Sequence, residues 1–168
     1  MEVFQLVTDD GVPMGSAPRG RCHGDPRLVH LVVHLHVLDP AGRVLLQKRS
    51  AAKDTNPGRW DTSVGGHVHH AEPVSAALAR EAKEELGIDA AGARFLYGYL
   101  HRGSLESEYA QCYAVTWAGP VTPEPGEIDE VRAFTFDEVD RLVGSGMLTP
   151  LFEEEWPRFK RAIIESKK

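Results

Sequence analysis

The sequence predicts an α/β layered domain in which strands alternate with a few helices. The chain has 168 residues, a length that suits one domain with a sizeable core. Residues 28–39 show the clearest alternation of side chains expected of a strand. Residues 73–87 combine strong helix formers with a proline at the start and a glycine at the end, which predicts a helix.

Each strand is predicted from a short run rich in β-branched or aromatic residues. These runs lie at residues 2–8, 12–15, 28–39, 43–48, 60–64, 93–101, 108–117 and 128–136. Two of the intervening segments, residues 9–11 and 39–42, carry turn signals. Residues 16–26 are rich in glycine, proline and charge, and residues 49–60 are irregular, so both are predicted to be loops.

Two further helices are predicted after the last strand. Residues 137–143 begin at Asp137, which suits a helix start. The tail at residues 150–166 carries large apolar residues at helical spacing, with Pro157 near the expected helix start. These apolar residues are Phe152, Trp156, Phe159 and Ile163. Core packing is the simplest interpretation of this stripe.

The strand at residues 28–39 has two different faces. One face is apolar and consists of Leu31, Val33, Leu35 and Val37. The other face carries His30, Val32, His34 and His36. Three alternating histidines indicate either a polar face or metal ligands, and the pattern leaves both interpretations open.

The predicted helix at residues 73–87 carries carboxylates beside its apolar stripe. The stripe consists of Val74, Leu78, Ala82 and Leu86. At about 100° per residue, Glu81, Glu84 and Glu85 share one face, and Glu85 falls inside the stripe. Arg80 can pair with Glu84 but cannot neutralise three carboxylates. A hard cation with oxygen ligands, Mg²⁺ or Mn²⁺, would do so, and an ordinary charged surface helix is the alternative.

Residues 66–88 resemble the Nudix box, Gly-x5-Glu-x7-Arg-Glu-U-x-Glu-Glu-x-Gly-U, in which U is a bulky aliphatic residue. The matching residues are Gly66, Glu72, Arg80, Glu81, Ala82, Glu84, Glu85, Gly87 and Ile88, of which only the small Ala82 departs from the pattern. The resemblance implies a Nudix α/β/α sandwich with a mixed central sheet, an α/β (α+β) fold. It also implies divalent-metal-dependent cleavage of a diphosphate. The three carboxylates of the helix face would bind metal, Arg80 would orient them, and Glu72 would tie the loop to the helix.

Composition limits the classes of partner and the compartment. The net charge of −6 argues against binding to nucleic acid or to an anionic membrane surface. An acidic chain must hold a diphosphate locally, and Arg49 and Lys53, in the loop before the box, are predicted to do this. No apolar run could span a bilayer and the start shows no secretory pattern, so we expect a cytoplasmic protein. The two cysteines, Cys22 and Cys112, are predicted to be reduced thiols, with one disulfide as the alternative.

Residues 22–115 also resemble the isopentenyl-diphosphate isomerase branch of the Nudix superfamily, in which three histidines and two glutamates hold a metal. The matching positions here are His23, His30, His67, Glu106 and Glu108. Arg49 and Lys53 match basic residues that hold the substrate diphosphate in that branch. However, Gly65 stands where the isomerases carry a cysteine, and glycine has no group to protonate an alkene carbon. The Nudix box, which the isomerases have degraded, is intact here.

The sequence therefore predicts one Nudix domain over residues 1–168, with an N-terminal extension at residues 1–27. The predicted activity is hydrolysis of a diphosphate linkage in a nucleoside diphosphate derivative or a related organic diphosphate. The box carboxylates and the Gly66 carbonyl would hold Mg²⁺ or Mn²⁺, and Glu108 or Glu106 would deprotonate or orient the attacking water. An isomerase-like enzyme and a non-catalytic ligand-sensing domain are the alternatives. The His/Glu set is either a second metal site or a metal-free framework, and the substrate and the oligomeric state stay open.

Overall fold

A computed structural model describes residues 1–168 and contains one large mixed sheet with helices on both faces. The elements in chain order are β1 (Val3–Val7), β2 (Pro13–Pro18), α1 (Arg19–Cys22), β3 (Val29–Leu38), β4 (Val44–Arg49), β5 (Trp60–Asp61), β6 (Val64–His67), α2 (Val74–Leu86), β7 (Arg94–Arg102), β8 (Ser107–Thr116), β9 (Ile128–Phe134), α3 (Phe136–Leu142) and α4 (Pro150–Ser166). The predicted alternation of strands with a few helices is confirmed.

Strand β3 lies at the centre of the sheet. It pairs with β8 in parallel along its whole length, and with β6 in an antiparallel arrangement from Val32 to Leu35. It pairs with β4 only at Val37 and Leu38, while β5 pairs with the other end of β4. The sheet therefore opens between β4 and β6, and residues of both strands line a cavity in this gap.

The two faces of β3 bury different layers. The apolar face predicted from the sequence packs with α2 in one core cluster, which includes Val33, Leu35 and Leu86. On the other face, α3 and α4 pack a second cluster around Trp156 and Phe159. The α/β/α sandwich with a mixed central sheet is thus confirmed. The tail stripe packs in the core, as its spacing predicts.

Helix α2 ends as its sequence predicts. Gly87 adopts a left-handed conformation with φ of 66°, and its N–H donates to the carbonyl of Lys83. A residue with a β-carbon is strained in this conformation, which explains the glycine.

Several predicted boundaries are wrong. Residues 16–26 are not simply a loop, because β2 extends to Pro18 and α1 follows it. The run at residues 60–64 divides into β5 and β6, which pair with different strands.

The starts of the last two helices also differ from the prediction. The N-cap of α3 is Thr135 rather than Asp137, and its hydroxyl accepts from the N–H of Glu138 in a capping box. Helix α4 begins at Pro150, so Pro157 lies inside it.

No helix of the chain is long and apolar enough to cross a membrane.

Candidate functional site

Arg80 holds the loop before α2 against the helix. Its Nε and Nη2 donate to the two carboxylate oxygens of Glu72 at 2.9 and 3.1 Å, and Nη2 also donates to the carbonyl of His67 at 2.9 Å. Glu72 in turn accepts from the N–H of His69. Arg80 Nη1 donates to Glu81 at 2.6 Å and lies 3.6 Å from Glu84. The guanidinium therefore orients part of the acidic cluster, but its hydrogen bonds are shared among three groups, Glu72, Glu81 and the His67 carbonyl.

Gly66 is required by a close approach. A β-carbon at this position would lie 2.0 Å from the carboxyl carbon of Glu81. The sequence suggested unusual backbone geometry at Gly65 and Gly66, but neither residue has a positive φ. The space taken by the Glu81 carboxylate is the reason for glycine at position 66, and at Gly65 a β-carbon would make only ordinary contacts.

Glu85 is largely buried at the end of the gap in the sheet. Its Oε2 accepts hydrogen bonds from the side-chain amide of Gln47 at 2.9 Å and from the N–H of Gly65 at 3.2 Å. Burial, assisted by the nearby charge of Glu81, raises the pKa of Glu85 to about 8. Burial also raises the pKa of Glu81, although Arg80 opposes the shift.

The box carboxylates differ in exposure. Glu84 is the outermost, with 54% of its side chain exposed. Burial raises the pKa of both Glu81 and Glu85, the charge of Glu81 raises that of Glu85 further, and the one arginine is already engaged, so these carboxylates need a further cation. The carboxylate oxygens of Glu81, Glu84 and Glu85 are ligands that suit Mg²⁺ or Mn²⁺. The residues present therefore fit the metal that the box implies.

These carboxylates line two connected spaces. An inner cavity of about 170 Å³ lies in the gap between β4 and β6. An outer groove of about 710 Å³ opens from it to the surface. Arg49, Gly66, His67, Glu85 and Glu108 line both spaces. The lining is almost entirely polar, which suits an anionic group accompanied by cations.

The two predicted phosphate-binding residues have different positions. Arg49 reaches the inner cavity, where its Nη1 lies 3.6 Å from Asp61, while its Nε donates to the carbonyl of Thr55. Lys53 lines only the outer groove and forms an ion pair with Glu127. Both cations are thus on the route to the cavity, and each already has an acidic partner.

The five residues of the predicted His/Glu set come together, and four of them, His23, His67, Glu106 and Glu108, line the outer groove. The Nε2 atoms of His23 and His67 are 3.3 Å apart, and His23 lies 3.4 Å from Glu106. His30 faces Glu108 across the β3–β8 pairing, with 3.5 Å between Nε2 and Oε1. Sequence spacing alone could not show this, because the residues come from α1, β3, β6 and β8 or their ends.

The donors of this cluster fit a metal ion. Both ring nitrogens of His30 and one oxygen of Glu106 are buried and have no hydrogen-bond partner. Burial, and then the charge of His30, lowers the pKa of His67 to about 3, and burial also lowers the pKa of His23. Burial would raise the pKa of Glu108, but His30 and then His34 outweigh it, so this carboxyl stays charged. Neutral imidazoles with carboxylates are ligands that Zn²⁺ and Mn²⁺ accept.

Phe4 of the N-terminal extension packs against this cluster. Its ring stacks on His67 with centroids 4.1 Å apart and lies 5.5 Å from the His30 ring. Phe4 therefore forms one wall of the His/Glu cluster, and the same N-terminal extension supplies His23 to it.

Sequence reasoning missed several residues of the site. Gln47 and Asp61 line the inner cavity from β4 and β5, and no motif marks them. Glu155 of α4 is fully buried against His34 and His36. A signal for Glu155 did exist, because it lies between Phe152 and Phe159 in the apolar stripe of the tail helix.

The fold and the site define a Nudix-type domain, with an acidic helix packed against a glycine loop at an opening in a mixed sheet. The chain matches the family model described as NUDIX domain over residues 28–154. It therefore belongs to the Nudix family, and the resemblance of residues 66–88 is confirmed.

The proteins similar to this chain include isopentenyl-diphosphate isomerases and a MutT protein. Isopentenyl-diphosphate Delta-isomerases of Clavibacter michiganensis and Leifsonia xyli are 30% and 33% identical over 92% of this chain, covering 81% and 86% of their own lengths. A crystal structure from Deinococcus radiodurans superposes with a TM-score of 0.77 at 23% identity, covering 94% of this chain and 98% of that one. A MutT protein from Methanosarcina mazei has a TM-score of 0.67 at 25% identity, covering 82% and 95%. The isomerase-like branch suggested by the histidines is thus also represented among the relatives.

Proposed function

We propose that this chain is a divalent-metal-dependent hydrolase that cleaves the diphosphate linkage of a nucleoside diphosphate derivative or a related organic diphosphate. The observation that carries the proposal is the pair of buried carboxylates, Glu81 and Glu85, beside a polar cavity. A domain that only binds a ligand gains nothing from keeping both charges there, whereas a metal-dependent reaction needs them.

Each residue of the site has a defined part in this reaction. Glu81, Glu84, Glu85 and the Gly66 carbonyl would hold the cation, which when bound neutralises phosphate charge and acidifies water. Glu108, charged and lining the cavity, accepts the proton of the attacking water. Arg49 holds phosphoryl oxygens in the inner cavity, and Lys53 does so in the outer groove.

Chromatography of the reaction products tests the proposal, because cleavage of a diphosphate that is substituted on both sides gives two phosphorylated products and no free phosphate. Nucleoside diphosphates, nucleotide sugars, dinucleoside polyphosphates and prenyl diphosphates would each be incubated with the protein, in Mg²⁺ and in chelator. We expect at least one class to be cleaved in Mg²⁺ and none in chelator. Absence of cleavage across the panel, or equal cleavage in chelator, would contradict a metal-dependent hydrolase.

The second candidate function is isomerisation of isopentenyl diphosphate. The assembled His/Glu cluster and the names of the relatives favour it. Gly65 disfavours it, because no side chain at that position can move a proton to or from carbon. Incubation with isopentenyl diphosphate, followed by proton NMR, separates the two functions. Formation of the double-bond isomer without phosphate release would favour the isomerase, whereas cleavage would favour the hydrolase.

Elemental analysis tests the His/Glu cluster separately from activity. If His23, His30, His67, Glu106 and Glu108 bind a metal, purified protein should contain Zn²⁺ or Mn²⁺. We expect His30→Ala and His67→Ala each to lose most of that metal while they keep the Mg²⁺ requirement of the box. Metal-free wild-type protein, or unchanged metal content in both variants, would leave the box carboxylates as the metal ligands.

A further inference from the structure

A second buried cluster lies behind the inner cavity, between the sheet and α4. Its centre is Glu155, whose side chain is completely buried. Oε2 faces His34 Nδ1 at 2.9 Å, and Oε1 accepts from His36 Nε2 at 3.1 Å. The hydroxyl of Tyr97 and the thiol of Cys112 also donate to Oε1, at 3.0 and 2.7 Å. Four polar groups therefore converge on this carboxylate.

His34 connects this cluster to the cavity. Its side chain is almost fully buried, yet it lines the inner cavity together with Arg49 and Gln47. Nδ1 is held by Glu155, while Nε2 has no hydrogen-bond partner within the chain. The strand pairing sets Gly65 directly opposite His34, so the two positions share one face. Because Gly65 has no side chain, nothing stands between the imidazole and the cavity at this position.

A buried carboxylate with no cation is costly, so one of the two histidines must carry a positive charge. His36 is completely buried, its Nδ1 has no hydrogen-bond partner, and it does not line the cavity. His34 has Glu155 on one side and an open polar cavity on the other. Burial by itself lowers the pKa of His34, but the charge and hydrogen bond of Glu155 outweigh this and hold the pKa at about 9. The charge therefore resides on His34.

We propose that His34 is a substrate-binding residue, whose Nε2–H donates a hydrogen bond to an anionic phosphoryl oxygen in the inner cavity, and that Glu155 is its positioning residue. This inference rests on the proposed function, because it assigns the inner cavity to a phosphoryl group of the substrate. With Arg49, it gives the cavity two cationic donors facing the same space. Gly65 occupies the position where the isomerases carry a cysteine. Because it has no side chain, it leaves His34 accessible from the inner cavity.

Binding of methylenediphosphonate, an analogue that cannot be hydrolysed, tests the proposal on the full chain. Its affinity would be measured by calorimetry with and without Mg²⁺. We expect His34→Gln to weaken binding about tenfold to a hundredfold, the range for a charge-assisted hydrogen bond. His36→Gln is the matched control, because His36 contacts the other oxygen of the same carboxylate without reaching the cavity, and the affinity of this variant should stay within about twofold of wild type. Equal affinities for wild type and His34→Gln, or no binding by wild type, would overturn the proposal.

Nitrogen NMR of the histidine rings keeps the test valid if His34→Gln does not fold. In wild type we expect both nitrogens of His34 to be protonated, and methylenediphosphonate to shift the Nε2 signal. In Glu155→Gln the His34 signals should move toward those of neutral imidazole, a change that a merely structural glutamate would not cause. A neutral His34 in wild type, or a signal unmoved by the analogue, would overturn the proposal. If no diphosphate is cleaved but the analogue still shifts His34, the hydrolase proposal fails and the assignment of His34 stands.

Discussion

At the scale of single residues, the proposed chemistry depends on Glu81 and Glu85, two carboxylates that are largely shielded from water. Glu85 lies in the apolar stripe of α2, and its two hydrogen bonds, from Gln47 and Gly65, do not cancel its charge. This position could be predicted from the sequence, because the helical period alone puts Glu85 between Val74 and Leu78. The same reasoning applies to Glu155 in the tail helix. Its partners, however, come from distant strands, so its contacts could not be predicted.

We expect Glu85→Gln to lower the rate of diphosphate cleavage about 10²- to 10³-fold, the usual cost of removing one electrostatic contact to a transition state. The fold should survive, because the amide removes a buried charge. The measurement is turnover in Mg²⁺ together with a urea unfolding curve. Glu165→Gln, on the exposed side of α4, is the control and should keep wild-type turnover. Unchanged turnover in Glu85→Gln would remove the proposed mechanism.

Gly66 offers a steric test of the same carboxylates. In Gly66→Ala the new methyl would collide with the Glu81 carboxyl group, so Glu81 must move away from its place beside the loop. We expect a destabilisation of about 1–3 kcal/mol, typical of overpacking, and a loss of most of the cleavage activity. Thermal unfolding and turnover measure the two effects. Gly65→Ala should unfold near the wild-type temperature, since its methyl makes ordinary contacts. Equal stability of the two variants would show that the space at position 66 is not limiting.

At the scale of secondary-structure elements, α2 and α4 cover opposite faces of β3 and together fix the opening in the sheet. Their existence and apolar faces were predictable, because both repeat with the helical period. The start of α4 was not, since Pro157 is tolerated inside the helix while Pro150 occupies its first turn. The parallel pairing of β3 with β8 was also beyond prediction, because period-2 patterns show faces but not which strands are neighbours.

Two adjacent isoleucines near the end of α4 test its packing. Ile163 is 2% exposed and belongs to the second core cluster, whereas Ile164 is 50% exposed. We expect Ile163→Ala to cost about 2–5 kcal/mol of unfolding free energy through the cavity it leaves. Ile164→Ala should change stability by less than about 0.5 kcal/mol. Urea unfolding of both variants gives the comparison, and similar losses would mean that the end of α4 is not packed as described.

At the scale of the whole molecule, this acidic chain concentrates several of its cations around one opening, which is the arrangement that the proposed anionic substrate requires. The net charge is −6, yet Arg49 and His34 face one inner cavity and Lys53 lies along the groove that leads to it. Glu155, which pairs with His34, comes from a distant part of the chain. Glu155 links α4 to β3 through His34, so one ion pair serves both the cavity and the attachment of a helical layer to the sheet. Its loss should therefore affect the stability of the whole domain.

That link predicts how stability depends on pH. The pKa of His34 is raised to about 9 from 6.5, so its contribution is fully present below pH 6.5 and is lost as pH rises through about 9. The pKa of Glu155 is held well below 4.5, because His34 and His36 outweigh the effect of burial, so its contribution is lost only in strong acid.

We expect urea unfolding to show wild-type stability falling between pH 6.5 and 9.5. In Glu155→Gln the pKa of His34 loses its largest support, so the variant should be less stable at pH 6.5 and should lose less over the same interval. Parallel pH profiles for the two proteins would show that the ion pair does not hold the sheet to α4.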